Sequence, residues 1–74
     1  MPKIPIVSAI LVIKVLSKAG YDVDHQTGSH IILRRRKYPH QRLTVPNHKE
    51  IAKGTLKAIL EDAGLTVEEF TGML

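Results

Sequence analysis

The sequence predicts an α+β fold in which one helix precedes three strands and a second helix follows them. Apolar residues recur at helical spacing near both ends of the chain, and the stretch between alternates apolar with polar side chains at the period of a strand. Glycine or proline stands at each change of period, as Gly20, Gly28, Pro39, Pro46 and Gly64.

Met1 to Val7 reads as an extended lead-in, because Pro2 and Pro5 each bias the preceding residue away from helix. Ser8 is a good N-cap for a helix over Ala9 to Ala19, which Gly20 stops. Val12, Ile13, Leu16 and Ala19 form its core-facing stripe, and Ile10, Leu11 and Val15 are expected to widen that contact beneath the N-terminal arm. Tyr21 to Gln26 alternates Tyr21, Val23 and His25 with Asp22, Asp24 and Gln26, the pattern of a half-buried strand. Thr27-Gly28-Ser29 is a hairpin turn, and the second strand, His30 to Arg36, turns Ile31 and Leu33 inward and His30, Ile32, Arg34 and Arg36 to an open face. In the third strand, Arg42 to Val45, Leu43 and Val45 face inward, so Arg42 joins that open face. Asn47 with Glu50 suggests a capped turn. A second helix runs from Lys53 to Ala63 on Leu56, Ile59, Leu60 and Ala63, and Thr66 to Glu69 is a capping box opening a short last helix anchored by Phe70.

A chain of 74 residues is expected to be a single domain, 1–74. A core of this size buries only about 60% of the unfolded surface and leaves no room for a deep cavity, so function belongs on a surface or in a shallow groove. The absence of cysteine excludes disulfides and thiolate metal sites and fits a cytoplasmic setting. Ile4 to Val15 is too short to cross a hydrocarbon core of about 30 Å, so no membrane association is expected.

The formal net charge is +4, and it is segregated. Arg34, Arg35, Arg36, Lys37, Arg42, Lys49, Lys53 and Lys57 crowd the middle of the chain with Glu50 as the lone acid, whereas Glu61, Asp62, Glu68 and Glu69 make the end acidic. Such a basic tract is the electrostatic footprint of a nucleic-acid binder. On the second helix, lysines sit at the positive end of the dipole and acids at the negative end, an arrangement that an anion held by Lys53, Lys57 and the helix N-terminus would explain.

The chemistry concentrates in Gly28 to Arg36, GSHIILRRR, where a histidine leads into arginines. Histidine exchanges protons near neutral pH, and the arginine fork suits phosphate. The four histidines, His25, His30, His40 and His48, lack the spacing of a helical zinc site, and no metal or cofactor is expected. Neither a phosphate-binding P-loop nor a dinucleotide fingerprint is present, and a Ser29–His30 acyl-transfer dyad is improbable because adjacent strand residues point to opposite faces.

Gly28-Ser29-His30, Val45-Pro46-Asn47-His48, Gly54-Thr55-Leu56 and Ala63-Gly64-Leu65, in this order from about Val7 to Phe70, closely resemble the HicA family of mRNA interferase toxins, the toxin half of HicA/HicB toxin–antitoxin modules. The resemblance implies a double-stranded-RNA-binding-domain-like fold, order α-β-β-β-α, with a three-stranded antiparallel sheet and helices on one face. It implies an endoribonuclease with His30 catalytic, mRNA as substrate, and a HicB-like antitoxin that forms a hetero-oligomer with an otherwise monomeric toxin. Ala9-Ile10-Leu11 departs from the family, where polar residues are usual.

On that basis His30 is the proton-transfer residue of a metal-independent cleavage in which the RNA's own 2′-hydroxyl attacks phosphorus. Arg34, Arg36 and Arg42 are expected to bind phosphate, Lys53 and Lys57 to extend the track, Ser29 to orient histidine or substrate, and His48 to serve as a second proton carrier. The alternatives are a non-catalytic RNA-binding module and a regulatory interaction subunit.

Overall fold

The computed structural model describes residues 6–74. Its elements are α1 (Ala9–Lys18), β1 (Tyr21–Thr27), β2 (His30–Arg35), β3 (Arg42–Pro46), α2 (Lys53–Ala63) and α3 (Val67–Gly72). The strands form one antiparallel sheet in the order β1-β2-β3, with the helices packed on one of its faces. This is the expected double-stranded-RNA-binding-domain-like α+β architecture, with α3 added after the second helix.

The core lies between the sheet and the helices. Val12, Val15 and Leu16 of α1 and Leu56, Ile59 and Leu60 of α2 cover Ile31, Leu33, Leu43 and Val45 of the sheet. Phe70 of α3 is fully buried in the same cluster, to which Tyr21 and Ile51 also belong. No polar side chain is buried among the described residues, so the small core is held by apolar packing and its backbone hydrogen bonds.

The helix ends follow local sequence. The Ser8 hydroxyl accepts a long hydrogen bond, 3.4 Å, from the Leu11 amide at the start of α1. Gly64 closes α2 in the left-handed conformation at φ 75°, where a side chain would be strained. The Thr66 hydroxyl and the Glu69 amide, with the Glu69 carboxylate and the Thr66 amide, complete both 3.0 Å bonds of the capping box that starts α3.

Several details depart from the pattern read in the sequence. Of the extended lead-in, residues 1–5 lie outside the described residues; Val7 is buried, and its carbonyl accepts from Ile51 N–H at 2.9 Å. Val15 joins the core as expected, but Ile10 and Leu11 are exposed rather than covered. Asn47 to Glu50 is irregular, and α2 begins at Lys53 without a side-chain cap. In β1 only Tyr21 is buried, and Val23 is exposed, because this is an edge strand whose register shifts between Val23 and His25. That bulge inserts Asp24 as an extra residue and moves His25 onto the face opposite Tyr21. Strand β2 also ends one residue early, leaving Arg36 beyond the ladder.

Replacing Phe70 by Ala should cost about 3–5 kcal/mol, for the lost burial and the cavity left behind. Thr66→Ala should cost about 1 kcal/mol through loss of the cap. Urea unfolding followed by circular dichroism checks both, with the larger midpoint shift at Phe70.

Candidate nucleic-acid interface

A two-residue turn, Gly28-Ser29, joins β1 to β2, with Gly28 at φ 56°, a conformation open to glycine without steric cost. His30 is the first residue of β2. Because Ile31 and Leu33 are buried beneath the helices, His30, Ile32 and Arg34 point to the uncovered face. On β3 the same alternation buries Leu43 and Val45 and turns Arg42 and Thr44 outward. The ladder sets Arg34 opposite Arg42, Ile32 opposite Thr44 and His30 opposite Pro46, so the imidazole and two guanidiniums share one side of the sheet.

Like charges directly opposite in a sheet are destabilising, and acids on β1 offset them. Asp22 pairs with Arg34 on its other side. The Asp24 carboxyl is held below its ordinary value of 3.8 first by its hydrogen bond with His25, and then by the charges of His25, Arg42 and Arg34, with desolvation opposing. Asp24 Oδ2 lies 2.8 Å from Nδ1 of His25, an exposed pair that the bulge brings onto the open face.

The other residues singled out in the sequence divide between this face and elsewhere. Ser29 is at the tip of the turn, and its carbonyl accepts from the Asn47 amide at 2.6 Å, which fastens the Pro46-Asn47-His48 loop to the turn that carries His30. Arg36, expected beside Arg34, is instead a strut: Nε donates to Asp22 Oδ2 at 2.9 Å and the guanidinium to the Ser17 carbonyl at 2.7 Å, tying β1 to the end of α1. His48 follows the third strand near His30, but its carbonyl accepts from Ala9 N–H at 3.0 Å and it lines a groove with Ser8, Ala9 and Ile10 at the start of α1. Lys53 and Lys57 belong to α2, in the layer behind the sheet, and the structure does not bring them onto the face of His30.

A shallow groove of about 170 Å³ opens at the other end of the face, lined by Asp22, Val23, Asp24, Arg34, Arg35, Arg36 and His40. His30 is not in it and stands on open surface, where a long polymer has access and a small molecule has no enclosure. Among the described residues no cluster of three or more His, Cys, Asp or Glu is placed to hold a metal ion. The Asp24–His25 pair escapes sequence reading because no apolar residue follows Val23 in β1 to mark where the alternation breaks.

A three-stranded sheet with helices on one side and exposed basic groups on the other defines a double-stranded-RNA-binding-domain-like protein. More particularly, the chain belongs to the HicA toxin family: the family model described as HicA toxin of bacterial toxin–antitoxin matches residues 12–65, which take in most of α1, all three strands and α2. The family implies a toxin–antitoxin module with an antitoxin partner. No curated protein matches the chain.

The Asp24 carboxyl should titrate below 3.8 in the folded protein and move upward in His25→Ala, since the hydrogen bond to His25 is the largest cause of its shift. A lowered carboxyl contributes stability above the unfolded value that is lost as pH falls through the folded one. Carbon-detected NMR titration of wild type and variant reads both midpoints.

Proposed function

We propose that this chain is an RNA-cleaving toxin, a metal-independent endoribonuclease acting on mRNA in the cytoplasm with His30 as its proton-transfer residue. The observation that carries the reading is the exposed imidazole at the head of β2, on the same sheet face as Arg34 and Arg42. In the reaction the 2′-hydroxyl of the substrate attacks the adjacent phosphorus. This needs only proton transfers and stabilisation of charge on phosphate, and imidazole and guanidinium supply them.

Arg34 and Arg42 bind the backbone of the substrate through their charged forks. Ser29 contributes from the turn, and Arg36 completes the positive edge while it braces Asp22 and α1. His48, Lys53 and Lys57 meet flanking phosphates where the RNA passes the loop and the N-terminal end of α2. The free toxin is a monomer. A HicB-like antitoxin with an acidic surface silences it by covering the basic face, a charge match that also speeds association.

His30→Ala should slow cleavage by about 10²- to 10⁴-fold while leaving RNA binding and the folded circular dichroism spectrum intact. A 2′-deoxy nucleotide at the scissile position should abolish cleavage by wild type. Retention of wild-type cleavage in either experiment removes His30, or self-attack by the substrate, from the mechanism. Loss of either Arg34 or Arg42 should weaken binding to all RNA sequences alike and reduce the magnitude of the salt slope by about 1, as read by fluorescence anisotropy across a salt series.

A further inference from the structure

Cleavage by an internal 2′-hydroxyl moves two protons, on opposite sides of phosphorus: one leaves the attacking hydroxyl and one arrives on the departing 5′-oxygen. His30 supplies a group for one of them. Of the remaining histidines, His48 lines the groove at the start of α1, and His40 sits in the β2–β3 loop with Nδ1 3.0 Å from the Arg35 carbonyl. His25 alone shares the face of His30. It stands opposite Ile32 in the β1–β2 ladder, while His30 stands opposite Thr27, so the two imidazoles occupy diagonal positions across adjacent strands with Ile32 beside both. Such diagonal pairs lie roughly 7–8 Å apart at their bases, a span suited to a phosphate hydrogen-bonded on each side at about 2.7–3.2 Å.

His25 also has the partner such a role requires. With Nδ1 2.8 Å from Asp24 Oδ2, Nε2 is the nitrogen left for substrate, and the carboxylate offers a counter-charge to the protonated ring. The other charged and titratable groups of this face are Asp22, Arg34 and Arg42 together with His30. The bulge at Asp24 creates the arrangement, since regular alternation would have turned His25 toward the side of Tyr21.

We propose that His25 is the second catalytic residue of RNA cleavage, its general acid, with Asp24 as the positioning residue and His30 as the base; this rests on the reading of the chain as a ribonuclease. His30 takes the 2′-hydroxyl proton as that oxygen forms its bond to phosphorus. The bond from phosphorus to the 5′-oxygen breaks, and the His25 imidazolium gives that oxygen its Nε2 proton. The products are a 2′,3′-cyclic phosphate and a free 5′-hydroxyl.

The test compares full-length wild type, His25→Ala, His25→Gln and His30→Ala on two RNA oligonucleotides spanning a mapped cleavage site: ordinary RNA, and the same RNA with sulfur in place of the scissile 5′-oxygen. A thiolate departs without being protonated, so it bypasses the acid and not the base. Both His25 variants should be slowed about 10²- to 10⁴-fold on ordinary RNA and return near the wild-type rate on the sulfur substrate, whereas His30→Ala should stay slow on both. His25 variants that match wild type on ordinary RNA, or that are slowed equally on both substrates while His30→Ala is inactive, overturn the assignment of His25 and leave the nuclease reading standing. Failure of wild type to cleave either RNA overturns the nuclease reading itself, and this proposal with it. Asp24→Asn should slow cleavage of ordinary RNA and recover on the sulfur substrate, as the His25 variants do, and Asp24→Glu should restore the rate on ordinary RNA. An Asp24→Asn rate equal to wild type on ordinary RNA, or slowed equally on both substrates, removes Asp24 from the role.

Discussion

Burial of Ile31 and Leu33 beneath the helices fixes the direction of every other side chain in β2, and the open face follows from it. Because successive strand residues alternate faces, a slip of one residue would place two aliphatic chains in water and drive an arginine and a histidine into a wholly apolar core. The register is therefore enforced by solvation on both sides of the sheet. Leu43 and Val45 impose the same choice on β3, and from these two strands come His30, Arg34 and Arg42. The positioning of the exposed groups is in this sense a by-product of apolar packing on the reverse side.

The face those groups share is electrostatically unequal along its length. Toward Asp22 and Asp24 the arginines have counter-charges, and Arg36 is spent on structure between β1 and α1. Toward the hairpin turn, His30 is flanked by Thr27 and Pro46, which carry no charge. Across the sheet, guanidiniums thus stand at one end and the His30 imidazole at the other, with His25, Ile32 and Thr44 in the row between them.

Much of this was legible in the sequence because it rests on short-range rules. The order of elements, the αL stop at Gly64, the capping box at Thr66 and the burial of Phe70 each follow from residues close in the chain. So does the alternation that exposes His30, Arg34 and Arg42. What the sequence concealed depended on contacts between distant parts. Arg36 sits at strand spacing, yet the Ser17 carbonyl and Asp22 draw it away. The face of His25 depends on a bulge in a strand with almost no apolar residues to fix its register. The exposure of Ile10 and Leu11 depends on what lies against α1, which periodicity cannot report.

The main-chain bonds around Asn47 have a consequence for tolerance to change. The tip of the hairpin is fastened to the loop after β3 by an amide of Asn47, and that loop is fastened to the start of α1 by a carbonyl of His48. Neither link uses a side chain, so a change of side chain at 47 or 48 leaves the turn fastened, provided that residue 47 keeps the N–H that proline lacks. A deletion there would be another matter, since it would pull the helix and the hairpin out of phase whatever side chains remained.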